Sequence, residues 1–243
     1  MDENKPKDGP AKPAAPAEPA GETTGEAESA PAPLNGETVF RDEQGKILQK
    51  ANFKDGVLEG ESLYYDEQGE VTEKARFKNG KLDGETAVFH KGALQLRLRF
   101  KNGRQHGEQL TYYPDGAVAS RQNYLDGKLN GETVFHGPDG KPVKKTTYVA
   151  GQLNGEAVEY YPGDKQILET SHYLKDKLHG PSLKYFQNGK LMEKRSYKNG
   201  KQTGKTIFYD RDGNEVTHPD QEPEEKKKSK IRKLVDWMVD DGK

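Results

Sequence analysis

The heptapeptide Asn79-Gly80-Lys81-Leu82-Asp83-Gly84-Glu85 decides the fold, because close copies of it recur along most of the chain. The second glycine of each copy stands at the positions Gly36, Gly60, Gly84, Gly107, Gly131, Gly155, Gly180 and Gly204. Successive glycines are therefore separated by 23 to 25 residues. A period this regular is typical of a repeat protein, in which each unit packs mainly on its neighbours.

The composition of the 243-residue chain predicts a thin structure with little interior. Hydrophobic residues make up 30% and charged residues 33% of the chain, and the mean hydropathy is −1.10. Such values alone favour disorder, but the aromatic residues follow the repeat, which favours an ordered sheet. The formal net charge of −1 gives no overall attraction to nucleic acid, and we expect no nucleic-acid partner.

The repeats are flanked by segments of different composition. Residues 1–33 are rich in Pro, Ala and Glu and are predicted to form a disordered leader. Residues 34–217 hold about eight repeats of about 24 residues. Residues 218–243 contain a charged connector and a short segment in which apolar residues are spaced i, i+3, i+4 and i+7, which predicts an amphipathic helix.

The first half of each repeat reads as a strand. In the second repeat, Glu61, Leu63 and Tyr65 stand at odd offsets from the key glycine. Odd offsets share one face of a strand, so this face carries an acid, an aliphatic residue and an aromatic residue. A polar turn such as Asp66-Glu67-Gln68-Gly69 then reverses the chain.

The second half of each repeat reads as a returning strand. It begins at an aliphatic residue and ends at an aromatic one six positions later, as from Val71 to Phe77. Because six is even, we expect both ends on one face. An Asn-Gly or Asp-Gly pair then turns the chain again, and we expect key glycines such as Gly131 to lie in turns where a side chain would be obstructed. The predicted fold is all-β: an elongated, single-layer antiparallel sheet of repeated hairpins with about fifteen strands.

The pattern resembles the bacterial variant of the MORN repeat. The resemblance rests on the Asn/Asp-Gly-Lys-Leu-x-Gly-Glu element, the Tyr-Tyr that follows it and the second turn before Lys-Leu, and it covers about residues 34–217. The third repeat is one residue short, and Pro181 replaces the usual glutamate in the seventh. The resemblance implies a MORN-type sheet and a binding module, often of the antitoxin or immunity type, whose partner is a toxin or a secreted effector.

No catalytic constellation is found in the sequence. There is no cysteine, no Gly-x-Ser-x-Gly elbow and no phosphate-binding loop. The acid-rich stretch from Asp210 to Asn214 occupies the same place as the turn after Tyr65, so we interpret it as a repeat turn rather than a calcium loop. The glutamate that follows most key glycines is interpreted as a ladder position facing lysines. We therefore expect no enzyme activity, no metal and no cofactor.

Neighbouring aromatic residues provide the candidate contact residues. Each doublet is expected to put one ring on each face of the sheet. One set of rings stiffens the sheet through cross-strand packing: Tyr65, Tyr112, Tyr160 and Tyr185. The other set, with the single tryptophan, is the predicted partner-binding set: Tyr64, Tyr113, Tyr161, Phe186 and Trp237.

The C-terminal segment provides a second candidate. A basic run precedes the predicted helix and is a possible contact for an anionic surface: Lys226, Lys227, Lys228, Lys230, Arg232 and Lys233. The helix can dock on the sheet, on a partner or on a membrane. Two functions therefore remain, a protein-binding module and a scaffold or membrane-associated organiser. We expect a bacterial cytoplasmic location, or a periplasmic one if a leader has been removed.

Overall fold

The computed structural model of the protein describes residues 32–217, which form one antiparallel sheet with no helix in that range. The strands are, in chain order, β1 (Gly36–Arg41), β2 (Ile47–Lys54), β3 (Val57–Tyr65), β4 (Val71–Lys78), β5 (Lys81–Leu82), β6 (Gly84–His90), β7 (Ala93–Lys101), β8 (Arg104–Gln105), β9 (Gly107–Tyr112), β10 (Val118–Leu125), β11 (Lys128–Leu129), β12 (Gly131–His136), β13 (Pro142–Val149), β14 (Gln152–Tyr160), β15 (Ile167–Leu174), β16 (Lys177–Tyr185), β17 (Leu191–Lys198), β18 (Lys201–Gln202), β19 (Ile207–Tyr209) and β20 (Glu215–Val216).

The strands pair in chain order, each with the one before and the one after it, so the sheet is a continuous meander. The two-residue strands β5, β8, β11 and β18 each lead into the longer strand that follows in the same direction. Counting each with that strand leaves sixteen strands, or eight hairpins. The predicted single-layer antiparallel sheet is confirmed. The predicted C-terminal helix lies outside the described residues.

Short turns connect the repeats and tie each one to its predecessor. In the turn after β4, Asn79 and Gly80 both have positive φ (49° and 73°), as the hairpin turn favoured by Asn-Gly requires. The Gly80 N–H donates a hydrogen bond to the carbonyl oxygen of Leu58 in the preceding repeat (2.9 Å). The corresponding glycine donates the same bond in other repeats, to the carbonyl oxygens of Leu34, Leu82, Gln105, Leu129 and Leu178.

Seven of the eight key glycines belong to strands, four of them as the first residue, which corrects the expectation of a turn; Gly204 lies between β18 and β19. Gly131 is the first residue of β12 and has φ +104°, a conformation that side chains rarely adopt. A Cβ added there would find its nearest neighbour, the Cβ of Asn123, at an ordinary 3.7 Å. Backbone conformation rather than space therefore requires glycine at this position. Gly84 is tighter, since its Cβ would meet the Cδ of Arg76 at 3.0 Å.

A β-bulge in seven of the eight hairpins corrects the expectation that both ends of the second strand share a face. In the second repeat the pairing shifts between Tyr64 and Tyr65, so that Tyr65 faces Val71 while Gly60 faces Phe77. Residues paired across strands share a face, and Tyr65 and Gly60 lie on opposite faces of β3. Val71 and Phe77 therefore lie on opposite faces as well. The bulge adds one residue between them, and one extra residue reverses the face on which the following side chains lie.

One face, here called the ring face, carries the closing aromatic residues of the repeats: Phe53, Phe77, Phe100, Tyr124, Tyr148, Tyr173 and Tyr197. Each ring is paired with a key glycine on one side, as Phe77 is with Gly60, and where a further pair is formed, with a leucine or glutamine on the other, as with Leu82. The missing side chain of glycine leaves room beside the ring. The opposite face is called the reverse face below.

A line of short side chains on the ring face replaces the core of a two-layer protein. Cross-strand pairs place these residues side by side along the sheet, and all are at most 9% exposed: Ala51, Ser62, Ala75, Thr86, Leu98, Gln109, Thr133, Thr146, Ala157, Ser171 and Ser182. Rows of longer side chains flank the line on both sides. Burial in this sheet thus depends on neighbouring rows of the same face.

Candidate functional site

The row on the far side of the buried line from the rings is called the outer row. Cross-strand pairs join its members in the order Phe40, Gln49, Tyr64, Glu73, Val88, Leu96, Thr111, Ser120, Phe135, Lys144, Glu159, Glu169, Lys184, Glu193, Phe208 and Val216. The first nine members include one charged residue, Glu73. The next five are all charged and are called the charged end below, and the last two are apolar. The repeats therefore share a backbone but not the chemistry of this row.

The charged end of the outer row is a connected polar cluster. The Lys144 Nζ donates a hydrogen bond to Glu159 Oε1 at 2.7 Å, and both side chains are about half exposed. On the next strand, Glu169 Oε1 accepts hydrogen bonds from the hydroxyls of Ser182 (3.0 Å) and Ser171 (3.3 Å).

A small cavity of about 90 Å³ opens within this cluster. Lys144, Glu159 and Glu169 line it, together with Tyr173 and Thr146. Thr146 is 3% exposed, and its Oγ1 has no hydrogen-bond partner within residues 32–217. The cavity therefore combines a cation, two carboxylates and a hydroxyl whose hydrogen-bonding capacity is unused.

The electrostatics of the cluster reflect partial burial and the nearby charges. Burial is the largest single influence on Lys144 and lowers its pKa, but the hydrogen bond and the charge of Glu159, followed by two tyrosines, outweigh it, so the pKa is raised. Burial likewise raises the pKa of Tyr173, although the charge of Lys144 opposes this. The charged form of Lys144 is therefore favoured next to Glu159.

The neutral end of the row has a single titratable pair, Tyr64 and Glu73, which face each other across β3 and β4. Burial raises the pKa of Tyr64 to about 12, and the charge of Glu73 adds to the effect. Burial also raises the pKa of Glu73. For both side chains, burial therefore disfavours the charged form.

The four predicted contact rings do not form one row. Tyr64 lies within β3, whereas Tyr113, Tyr161 and Phe186 each follow directly after the end of a strand. The Tyr113 hydroxyl donates to the carbonyl oxygen of His136 (2.8 Å), and the Tyr161 hydroxyl donates to that of Tyr185 (2.7 Å). These two tyrosines join successive repeats. They do not share a row because Tyr64 stands two residues nearer its key glycine than the other three do. Whether they bind a partner stays a prediction.

The remaining predicted residues are placed as follows. On the reverse face, Tyr65 lies 6.0 Å from the Nζ of Lys50, and it is paired with Val71. Tyr112, Tyr160 and Tyr185 are paired in the same way with Val118, Ile167 and Leu191. Trp237 and the basic run Lys226, Lys227, Lys228, Lys230, Arg232 and Lys233 lie outside the described residues.

The repeated glutamates on the reverse face form ion pairs, which confirms their interpretation as ladder positions. Glu61 lies 2.8 Å from the Nζ of Lys74, and Glu108 lies 2.8 Å from the Nη1 of Arg121. The cations belong to a row in which they alternate with the aliphatic residues, as Lys74 does with Leu63. Exposed pairs of this kind contribute little stability each.

The residues of the charged cluster were not singled out from the sequence. A signal was present: the fourth residue after each key glycine changes from Phe40, Tyr64 and Val88 to Glu159 and Lys184. Comparing this offset between repeats would have shown the change from neutral to charged side chains. The pairing of these positions with the second strands could not be read without the bulges.

Residues 32–217 contain no group of three His, Asp or Glu side chains that could hold a metal ion. The turn at Asp210 behaves as a repeat turn, because Asp210 Oδ1 accepts backbone N–H groups two and four residues later, as Asp66 Oδ1 does. No helix in this part of the chain is long and apolar enough to cross a membrane.

Comparison with known families identifies the repeat. The model of the MORN repeat variant matches four segments of the chain, residues 34–55, 58–86, 105–126 and 178–199. These four segments are thus similar to the MORN repeat variant, and such repeats are commonly protein- or membrane-binding modules. No curated protein matches the chain in sequence.

Among solved structures, the chain is similar to two of TarM. One is S. aureus TarM, as a mutant in complex with Fondaparinux, alpha-GlcNAc-glycerol and UDP, and the other is described as TarM alone. Both are 16% identical, with TM-scores of 0.24 and 0.23. Each match covers 49% of this chain and 19% of TarM, so the chain spans less than a fifth of the TarM length.

Proposed function

We propose that the protein is a non-enzymatic binding module that captures another protein on the ring face, with the charged cluster of Lys144, Glu159 and Glu169 at the centre of the contact. One observation carries the proposal. The repeat does not need charges in the outer row, since earlier repeats hold Val88, Leu96 and Phe135 there.

The Lys144–Glu159 pair is about 45% exposed, and an ion pair at that exposure contributes little to stability. Apolar replacements of similar volume are therefore expected to be nearly neutral. Charged groups in a polar cavity are therefore candidates for binding rather than for stability. The cluster lies next to Tyr173, and tyrosine is favoured in the buried centre of protein interfaces.

The chemistry of the cluster indicates a partner that presents both charged and hydrogen-bonding groups. Glu159 is already bound to Lys144, whereas Glu169 accepts hydrogen bonds from two serine hydroxyls. A donor from the partner can add to either carboxylate, since neither side chain is fully buried. Such contacts give specificity because a wrong partner leaves these groups desolvated and unpaired.

The test separates binding from stability. The partner is first purified from the native cell with the full chain as bait and identified by mass spectrometry. Lys144→Met with Glu159→Met should then weaken binding by at least about 10-fold, or about 1.4 kcal/mol, measured by isothermal titration calorimetry. The same variant should unfold at the same or a higher denaturant concentration than the parent, because the desolvated pair is gone.

The ion pair on the reverse face provides a matched control. Lys74→Met with Glu61→Met removes a pair of nearly equal length (2.8 Å against 2.7 Å) from the other side of the sheet. This variant should bind the partner as the parent does. Equal loss of binding in both variants, or no loss in the Lys144 variant, would contradict the proposed site.

A toxin-neutralising role is the more specific form of this proposal, and it is supported only by the resemblance to antitoxin and immunity-type MORN proteins. It requires that the captured partner is a toxin or a secreted effector and that co-expression restores growth. We place the protein in the bacterial cytoplasm under this proposal, with the periplasm as the alternative if a leader is removed. Cell fractionation tests the location.

The second candidate is a scaffold or membrane-associated organiser. Its support is the basic run from Lys226 to Lys233 and the membrane-binding role of many MORN repeats. Vesicles containing anionic lipid test it. Binding that disappears when these residues are replaced by Gln, with no protein partner recovered from the cell, would favour this candidate over protein capture.

A further inference from the structure

The ends of the strands form two long margins of the sheet, and these differ in construction. The short-turn margin holds the two-residue turns that connect the repeats, such as Asn79-Gly80 and Asn102-Gly103. The long-turn margin holds the connections within the repeats, such as residues 66–70 and 210–214. Because the sheet is a meander, every turn of one kind lies on the same margin.

The short-turn margin is cationic. The two turn residues and the residue on either side of each turn include ten basic residues and three acidic ones. All ten basic residues are exposed. They are Lys54, Lys78, Lys81, Lys101, Arg104, Lys128, Lys175, Lys177, Lys198 and Lys201.

These cations are not neutralised within the sheet. None of the ten takes part in an ion pair among residues 32–217, where the pairs involve other side chains. The three acids, Asp55, Asp126 and Asp176, are spread over three different turns. The turns on either side of β5–β7 carry four cations, at Lys78, Lys81, Lys101 and Arg104. Two carboxylates adjoin these turns, because Glu59 and Asp83 accept the backbone N–H groups of Asn79 and Asn102.

The long-turn margin is acidic. Its turns contain ten acidic residues, namely Asp42, Glu43, Asp66, Glu67, Glu70, Asp115, Asp139, Asp164, Asp210 and Asp212. They contain six basic residues, namely Lys46, Lys91, Lys141, Lys165, Lys190 and Arg211. Three of these, Lys46, Lys141 and Lys190, donate to backbone carbonyl oxygens in the following repeat. The ammonium groups of these three lysines therefore already have hydrogen-bond acceptors within the sheet.

The cationic margin also contains two surface depressions. A depression of about 590 Å³ lies between two neighbouring short turns. Its charged lining residues are three cations, Lys78, Arg99 and Lys101, and two acids, Asp83 and Glu85. A second depression, of about 460 Å³, is lined by two cations, Lys101 and Arg104, and one acid, Asp126. Cations thus outnumber carboxylates in both depressions, which favours entry of an acidic group. On the other margin, the acidic residues Glu43, Glu67 and Glu70 are exposed.

We propose that the cationic margin of one molecule binds the acidic margin of a second copy, so that sheets associate side by side. The two margins are built by the same repeats, and so both advance by two strand spacings, about 10 Å, per repeat. An acidic margin of another copy therefore matches the cationic turns in spacing over several repeats. Complementary charge on matching spacing steers and orients association.

The arrangement is head to tail rather than two-fold. A two-fold axis would place cationic against cationic margin, or acidic against acidic, and like charges repel. Each molecule instead uses one margin to bind a neighbour and leaves the other margin free for a third. Contacts of this kind produce open arrays unless their rotation closes a ring.

Sedimentation of the full chain as a function of salt tests the proposal. In about 0.01 M salt, where screening is weak over about 30 Å, the mean mass should rise at least about twofold with concentration. In about 1 M salt, where the screening length is about 3 Å, the chain should remain a monomer. A monomer at low salt up to the highest soluble concentration would overturn the proposal.

Two variants with the same change in net charge separate the margins from general repulsion. One replaces three cations of the short-turn margin by glutamate: Lys78, Lys81 and Lys101. The other does the same to three cations of the long-turn margin: Lys91, Lys165 and Arg211. The first should abolish association at low salt, and the second should preserve or strengthen it. Equal behaviour of the two would overturn the proposal.

A third variant restores the match. Glu43→Lys, Glu67→Lys and Glu70→Lys together make the long-turn margin cationic, and this variant should not associate alone. Mixing it with the glutamate variant of the short-turn margin should restore association, because each then offers the charge that the other lacks. Absence of association in the mixture, with circular dichroism showing both folded, would overturn the proposal.

Discussion

The two ends of the ring face have the same backbone and different contents. From β1 to β9 the face buries Phe77, Leu96 and Leu98 at 3–7% exposure, and its outer row is neutral except for Glu73. From β13 to β17 it buries threonine, serine and alanine beside Lys144, Glu159 and Glu169. The closing ring changes from phenylalanine to tyrosine between Phe100 and Tyr124.

This difference shows that the backbone of the repeat stays the same while the side chains of the outer row change. The short turns, the strained glycines and the bulges recur throughout, so the backbone does not depend on the outer row. The neutral end concentrates apolar burial, which is the larger source of stability. The charged end has less apolar burial and carries the groups that we propose contact a partner. The comparison therefore predicts unequal responses to equivalent substitutions.

The largest expected effect is on apolar burial at the neutral end. Phe77→Ala should lower the free energy of unfolding by about 3–5 kcal/mol, since the ring is 5% exposed. Tyr148→Ala, at the equivalent position of the charged end, should cost less, about 2–4 kcal/mol, because that ring is only half-buried. Urea unfolding measures both, with Val149→Ala (49% exposed) as a control of near-zero effect. An equal cost for the two rings would remove the distinction between the ends.

A smaller effect distinguishes the hydroxyls of the buried line. Thr86, at the neutral end, is 1% exposed, and its Oγ1 has no hydrogen-bond partner within residues 32–217. Thr86→Val keeps the shape and removes the unpaired group, so it should stabilise the protein by about 1 kcal/mol. Ser182→Ala, at the charged end, should destabilise by about 1 kcal/mol, because that hydroxyl donates to Glu169. Thermal unfolding of the two variants should therefore shift in opposite directions.

The smallest effect is a pH dependence from Glu73. Burial raises its pKa above the ordinary 4.5, so the folded chain keeps this proton to a higher pH than the unfolded chain. Stability from this group is present below pH 4.5 and is lost as the pH rises through the folded pKa. Glu73→Gln should therefore stabilise at pH 7 and have no effect at low pH.

The same substitution should change the titration of its neighbour. It should lower the pKa of Tyr64 from about 12, because the charge of Glu73 contributes to that value. Phenolate absorbance measures the tyrosine titration. An unchanged Tyr64 pKa, or a Glu73 variant that is less stable than the parent at pH 7, would show that the pair does not act as described.

Much of the fold could be predicted from the sequence because it repeats. The 24-residue period, the Asn-Gly turns and the alternation in β3 defined the strands and the single sheet. The sequence could not show which side chains of the second strand of a hairpin share a face with which side chains of the first. A bulge adds one residue without a sequence marker, and one residue reverses the face of Val71 relative to Phe77.

The candidate site was less predictable for the same reason. The charged residues are visible in the sequence, but their assembly depends on cross-strand pairs such as Lys144 with Glu159 and Glu159 with Glu169. The aromatic doublets suggested contact rings instead. Tyr113 and Tyr161 resemble exposed binding residues in sequence, and only the structure places their hydroxyls on the carbonyl oxygens of the next repeat.

We propose that the charged end of the ring face binds the partner, and cysteine labelling can test this directly. The chain has no cysteine, so single cysteines can report on chosen positions. Lys184→Cys lies in the charged outer row, Gln49→Cys in the neutral outer row, and Lys194→Cys on the reverse face. Maleimide labelling is measured for each with and without saturating partner. We predict that the partner protects only the cysteine at position 184. Protection at position 194 with free labelling at position 184 would contradict the claim.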